Sequence, residues 1–209
     1  FRVPVFFMMD EVVGHMTERV AIPDASEIEI VERNFTHKLP AEYKLFQTDA
    51  SLVPEMVKVG DGYNMHVTGL THDERGYPSM TVPTQKHLVE RLTNKIKQNR
   101  DKLVDLCEEN MDDAEVVVVS FGITSRVAIP AIEEARKRGV KVGHLRMRIV
   151  WPFPADRIRE LAPRVKAFVV PELNMGQIVL EVQREVEGKA RVISVPHPGG
   201  TVHEPQVLL

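Results

Sequence analysis

Apolar residues follow two regimes along this chain. From Glu115 onward they form short continuous runs that alternate with helical spacing, whereas before it they are mostly scattered. Residues 116–119, all valine, and Phe121 make a run too short for a helix. It is β-branched or aromatic and stops at Gly122, which is the pattern of a strand buried on both faces. Ala128, Ile129, Ile132 and Ala135 recur at helical spacing, so a helix is predicted over 127–138, with Thr124 or Ser125 as its cap. Arg136, Lys137 and Arg138 suit the negative end of that helix, and Gly139 suits its left-handed stop. Pro130 falls inside the helical pattern and predicts an irregular first turn. A second strand, 140–149, follows at once, completing the βαβ unit of a parallel sheet. The pattern then predicts a stiff turn at Trp151-Pro152-Phe153-Pro154 and a helix over 156–162. A strand over 166–170, a helix over 175–187 and a last strand over 190–195 follow.

The earlier part reads differently. Residues 3–9 predict a buried strand ending at Asp10-Glu11, and 12–20 a short helix. Together they form the last βα step of a preceding α/β domain. Residues 23–54 carry scattered prolines and charges, with brief alternation at 28–32, and predict an extended connector with one edge strand. Residues 60–83 hold Gly60, Gly62, Gly69 and Gly76, the histidines His66 and His72, and several charges, and predict a long loop that is functional or pinned against a partner. One amphipathic helix is predicted over 84–111. Leu88, Leu92, Ile96, Leu103 and Leu106 form its apolar face, lysines and arginines the opposite one, and Cys107 joins the core side. The expected organisation is 1–22 as the end of a preceding α/β domain, 23–83 as linker, and 84–209 as an α/β domain. That last domain would have a mostly parallel sheet with helices on both faces.

Composition narrows the classes. The chain has 209 residues and a net charge of −3, which gives no electrostatic reason to expect nucleic acid. No apolar run approaches the roughly 20 residues of a membrane helix. A single cysteine excludes a disulfide within the chain and an iron–sulfur cluster held by it alone, and a reducing, cytoplasmic setting is expected. The first residue, Phe1, opens as though already inside a strand, so a piece of something longer is expected.

The candidate chemistry is sparse. Gly60-Asp61-Gly62 with Asn94 approaches the spacing of a magnesium-diphosphate motif, but Asn94 lies within the predicted helix, and coincidence is favoured. His66, His72 and Asp73 lack the further converging ligands of a metal site, so a hydrogen-bonded loop is favoured and no metal ligand is assigned. Arg146 and Arg148 share one side of a strand near its carboxyl end. They either pair with acids such as Glu172 at an interface or bind an anion, and pairing is favoured. Asn174-Met175-Gly176-Gln177 opens a helix after a strand, where exposed amides either hold a phosphate or are capped in the ordinary way; capping is favoured. No catalytic or cofactor-binding residue is assigned. The interface or active-site-closing candidates are His72, Asp73, Arg75, Arg146, Arg148, Glu172, Asn174 and Gln177.

The run from Gly62 to Pro78, which contains Thr68-Gly69-Leu70-Thr71-His72-Asp73-Glu74-Arg75-Gly76-Tyr77-Pro78, resembles the linker of the alpha subunit of 2-oxoacid:ferredoxin oxidoreductases, especially the 2-oxoglutarate branch. Asp10-Glu11-Val12-Val13-Gly14-His15-Met16 resembles the end of that subunit's first domain. Trp151-Pro152-Phe153-Pro154 and Pro171-Glu172-Leu173-Asn174-Met175-Gly176-Gln177 resemble its second, which is similar to the C-terminal domain of transketolases. The resemblance implies oxidative decarboxylation of a 2-oxoacid to an acyl-coenzyme A with reduction of ferredoxin. It implies thiamine diphosphate, magnesium, an iron–sulfur cluster and coenzyme A in the assembled enzyme, held by other domains and by partner subunits rather than by this chain alone. A beta subunit that carries the thiamine diphosphate is the implied partner, with gamma and delta subunits beside it. The role implied for this segment is assembly. The alternative is a free-standing α/β module that binds a small ligand through Arg146, Arg148 and the helix at Gly176. The sequence points to neither nucleic acid nor membrane as a partner.

Overall fold

The valine run becomes the centre of a five-stranded sheet, in a computed structural model that describes residues 1–209. The chain divides into two units, one of residues 1–6 and 18–102, the other of residues 7–17 and 103–209.

The second unit contains a short helix α1 (Glu11–His15) and strands β1 (Leu106–Glu109), β2 (Val116–Phe121), β3 (Val142–Met147), β4 (Ala167–Glu172) and β5 (Arg191–Pro196). The strand order is β1-β3-β2-β4-β5, with β1 antiparallel to β3 and every other pairing parallel. Alternate residues of β2 feed opposite layers, as the strand period of two requires. Val117 and Val119 pack with Leu145, Met147, Phe168 and Val170 against α5 (Ala155–Leu161) and α6 (Ile178–Val186). Val118 and Val142 pack against Ala128 and Ile132 of the helix at 122–137 on the other face. Helices on both faces and a mostly parallel sheet are thus present, as expected. The four strands read from the sequence after Glu115 are all found, the second shortened at both ends. Burying one valine of β2 contributes roughly 1.5–3 kcal/mol.

The first unit is built around α2 (Val82–Gln98), which Thr81 caps by accepting from the Thr84 N–H, with Pro83 in its first turn. One further turn, α3 (Arg100–Leu103), follows. Three expectations are corrected here. Residues 3–9 form no strand, and Val5, Phe6, Phe7 and Met8 are exposed, because no strand lies beside them to pair their backbone or cover their side chains. The helix of 12–20 is reduced to α1. Residues 28–32 are likewise not a strand; 23–54 hold a single 3₁₀ turn (Ala25–Glu27) and one isolated bridge, Phe35 to Met56.

The long helix of 84–111 also ends early. Asn99, its C-cap, donates to the Lys95 carbonyl, and Leu106 and Cys107 lie instead on the edge strand β1, where Cys107 is half-buried. The division of 84–209 as one domain moves with it. Within α2 the buried side chains are Arg91 and Lys95, and with the C-cap Asn99 they face the first unit, where Asn99 Nδ2 donates to the Ser51 carbonyl. Leu92 and Val89 are exposed.

Candidate functional site

In a doubly wound sheet, ligands enter where consecutive crossovers leave in opposite directions, at the carboxyl ends of the strands. Here that point lies between the neighbouring strands β2 and β4. The chain leaves β2 into α4 (Gly122–Lys137) and leaves β4 into α6 (Ile178–Val186), so two helix N-termini face the crevice with unpaired amides.

Both are closed by the chain's own carboxylates. The α4 N-terminus takes Asp10, whose Oδ2 accepts from the Ile123 N–H at 2.7 Å. Gly122 sits at φ +60°, and a Cβ there would lie 2.2 Å from the same oxygen, so glycine is what lets the carboxylate approach. This corrects the expected cap: Thr124 and Ser125 are buried inside α4, which starts several residues before position 127 and runs through the exposed Pro130.

The α6 N-terminus takes Glu172, only 1% exposed. Its carboxylate accepts from the backbone N–H groups of Gln177, Ile178 and Val179 at 2.9–3.2 Å, and from Asn174 Nδ2 at 3.2 Å. Asn174 Oδ1 in turn accepts from the Gly176 N–H at 2.7 Å. Asn174 and Gln177 therefore serve this cap; Gln177 does so through its backbone, and its side chain is exposed. The amides that a phosphate would need are already used. The expected pairing of Glu172 with Arg146 or Arg148 is corrected too. Arg148 pairs with Asp105 at 3.5 Å, both largely exposed, and Arg146 lies half-buried opposite Cys107 and Ser120 in the sheet register.

Around β2 lies a polar group that no sequence motif announces. Ser120 Oγ is 2.7 Å from His144 Nε2 and donates to Ser125 Oγ at 2.9 Å, with all three residues essentially inaccessible. Burial holds the His144 imidazole below its ordinary value, with Glu109 pulling it up and Arg146 pushing it further down. No substrate can reach this serine, so the pair is structural. The folded protein binds the His144 proton less readily than the unfolded chain, so stability falls as pH drops through the ordinary histidine range near 6.5. Replacing His144 by glutamine is expected to flatten the slope of unfolding free energy between pH 7 and 5.5, and urea titrations across that range measure it.

In the first unit the distinctive loop is ordered from within. Asp73 accepts from the backbone N–H groups of Arg75 and Tyr77, and its carboxylate pairs with the Arg75 guanidinium at 3.0 Å. Partial burial works to raise the Asp73 carboxyl, but these Arg75 and Tyr77 contacts outweigh it and hold it below the usual range. The His72 ring packs at a tilt against Phe46, with centroids 4.2 Å apart, and His66 stacks on Tyr77 at 4.6 Å. His72, Asp73 and Arg75 are therefore together, while Arg146, Arg148, Glu172, Asn174 and Gln177 belong to the other unit.

The proposed diphosphate ligands do not form a site. Asp61 sits in an exposed turn between two glycines of positive φ, Asn94 is half-buried in mid-helix, and no group of three His, Cys, Asp or Glu side chains is placed to hold a metal ion. No helix is long and apolar enough to cross a membrane.

The sheet, its sealed crevice and the loop-bearing unit define an α/β subunit segment whose helix N-termini are satisfied internally. Residues 114–208 match the family model described as pyruvate:ferredoxin oxidoreductase core domain II. Residues 1–91 match the one described as pyruvate flavodoxin/ferredoxin oxidoreductase, thiamine diphosphate-binding. The chain is 44% identical over its whole length to the 2-oxoglutarate synthase subunit KorA of Methanothermobacter marburgensis and to that of Methanocaldococcus jannaschii, covering 56% and 55% of those proteins. It thus spans about half the length of the curated relatives it matches. A 2-oxoglutarate:ferredoxin oxidoreductase from Magnetococcus marinus, solved with 2-oxoglutarate, coenzyme A and succinyl-CoA bound, superposes with a TM-score of 0.75 over 89% of this chain and 32% of that one. At 21% identity the likeness is one of fold. The chain belongs to the 2-oxoacid:ferredoxin oxidoreductase family.

Proposed function

We propose that this chain is part of the alpha subunit of a 2-oxoglutarate:ferredoxin oxidoreductase and that its own contribution is assembly. The observation that carries the reading is the 44% identity, over the whole chain, to proteins named as 2-oxoglutarate synthase subunits. The whole enzyme would convert 2-oxoglutarate, coenzyme A and oxidised ferredoxin to succinyl-coenzyme A, carbon dioxide and reduced ferredoxin. Thiamine diphosphate with magnesium supplies the carbanion chemistry and an iron–sulfur cluster the electron path. Both belong to a beta subunit and to other parts of the complex. Gamma and delta subunits are further proposed partners, and the setting is the cytoplasm.

Two features support a scaffolding role. Val5, Phe6, Phe7 and Met8 are each more than four-fifths exposed, an apolar run that needs covering by further protein. The loop at 66–78 is internally stiff and presents His72, Asp73 and Arg75, so it can close against a partner at little ordering cost. The free-standing ligand-binding alternative is disfavoured because Glu172 fills the helix N-terminus it would use.

The full-length protein purified from its native cells is expected to bring a thiamine diphosphate-containing partner subunit with it, identified by mass, and to reduce ferredoxin with 2-oxoglutarate and coenzyme A. An Asp73→Ala version should assemble less tightly or turn over more slowly with its sheet unit intact. A protein that purifies alone and reduces no ferredoxin would refute the proposal.

A further inference from the structure

The first unit buries positive charge that its own carboxylates do not offset. Lys95 is 1% exposed and Arg91 6%. The one hydrogen bond Lys95 Nζ donates outward is a long one, 3.4 Å, to the Arg2 carbonyl. Arg2 spends its guanidinium on the Leu45 and Glu55 carbonyls, both at 2.9 Å. Arg91 and Arg2 both lie over the Phe46 ring, at 5.8 and 5.5 Å, which softens the desolvation of two guanidinium groups without neutralising them. Burial, then Arg91 and Arg2, lower the Lys95 ammonium to about 8. A buried cation without a partner is costly, and a cluster of them more so.

Arg91 opens onto a cleft of about 270 Å³ between α2 and the loop, lined also by Phe46, His72, His87 and Leu88. Asp73 and Glu74 reach its edge, but Asp73 is committed to Arg75 and Glu74 to Lys44 at 3.2 Å. His72 Nδ1 is held at the Asp73 carbonyl.

We propose that this cleft binds a small organic carboxylate, with Arg91 as the group that receives it. The planar guanidinium fork matches two coplanar carboxylate oxygens. Phe46 and Leu88 offer apolar walls to a short carbon stem. The volume is below that of the pockets that hold drug-sized ligands, which fits an acid of a few carbons. The inference does not rest on the oxidoreductase reading.

Calorimetry on the full-length protein at pH 7, with butyrate as the probe and inorganic phosphate as the comparison, tests it. Saturable butyrate binding is expected, weakened about tenfold by Arg91→Gln and less by Arg91→Lys, which keeps the charge but loses the fork. Phosphate should bind more weakly. If Arg91→Gln proves too unstable, as a melting scan would reveal, Arg91→Lys and Phe46→Leu carry the test, both expected to weaken butyrate. No saturable binding, binding indifferent to these substitutions, or phosphate bound as well as butyrate would overturn the proposal. Butyrate bound by the separated subunit but not by the assembled enzyme would overturn it as well, and would assign the cleft to an acidic side chain of a neighbouring subunit.

Discussion

Replacing Glu172 by alanine is expected to destabilise the sheet unit by about 3–4 kcal/mol, one of the largest single-residue effects in the chain, since hydrogen bonds to a charged acceptor are each worth roughly 1.5–3 kcal/mol before relaxation. Three backbone N–H groups at the start of α6 and the Asn174 side chain all converge on this one carboxylate. Ile178 and Val179 are buried, so water cannot freely replace it at their amides. The carboxylate also sits at the positive end of the helix dipole, which alanine leaves unopposed. At roughly 2–4 °C per kcal/mol for a protein of this size, the melting temperature should fall by about 10 °C. Glutamine keeps an acceptor oxygen but not the charge and should fall between the two. A loss of under about 1 kcal/mol for alanine in urea unfolding would mean that the helix start relaxes onto other acceptors.

The cap at Glu172 is local in sequence, reaching amides five to seven positions on, whereas the cap at Asp10 lies beyond a linear reading. The valine run, the helix ending at Gly139 and the strand after it were legible because a parallel strand covered on both faces leaves a continuous apolar signature. Caps drawn from afar leave none. Asp10 precedes Ile123 by 113 positions, and the nearest local hydroxyls, at Thr124 and Ser125, point to a later start for α4 than the real one. Strand β1 is only four residues long and continues the leucine spacing of α2, so by pattern alone it is indistinguishable from the helix. The stretch 3–9 carries a strand's composition, but a strand exists only beside another. In α2 the periodicity identified two faces and said nothing of which would be buried. Arg91, Lys95 and Asn99 recur every four residues, as regular a stripe as the leucines, and that polar stripe is the one turned inward. Of the site candidates, Asp73 with Arg75 and the Asn174–Gln177 turn were found at structured positions. The opposing carboxylates became visible only in three dimensions.

A second large effect is expected at Gly76. This buried glycine has φ +94°, and a Cβ built on it would lie 2.0 Å from the His66 carbonyl oxygen, 3.1 Å from that carbonyl carbon and 3.1 Å from Phe46 Cε2. The first two neighbours are backbone, which cannot swing aside as a side chain can. Alanine would also have to hold a backbone conformation that L-residues avoid, costing of order 1–3 kcal/mol before any clash is counted. Gly76 N–H donates to the Asp73 carbonyl, and the Glu74 carbonyl receives the Phe46 N–H, so displacing this turn loosens the loop from the wall that carries Phe46. Gly76→Ala is therefore expected to destabilise the first unit by about 3 kcal/mol or more. Hydrogen exchange should show it first at the Asp73 and Tyr77 amides, which now bond across the loop. The amides of β2 and β4, buried in the other unit, should keep their protection. Uniformly faster exchange in both units would show that the loop and the sheet unfold as one cooperative body. Unchanged exchange at Asp73 would show that the turn accepts a side chain after all.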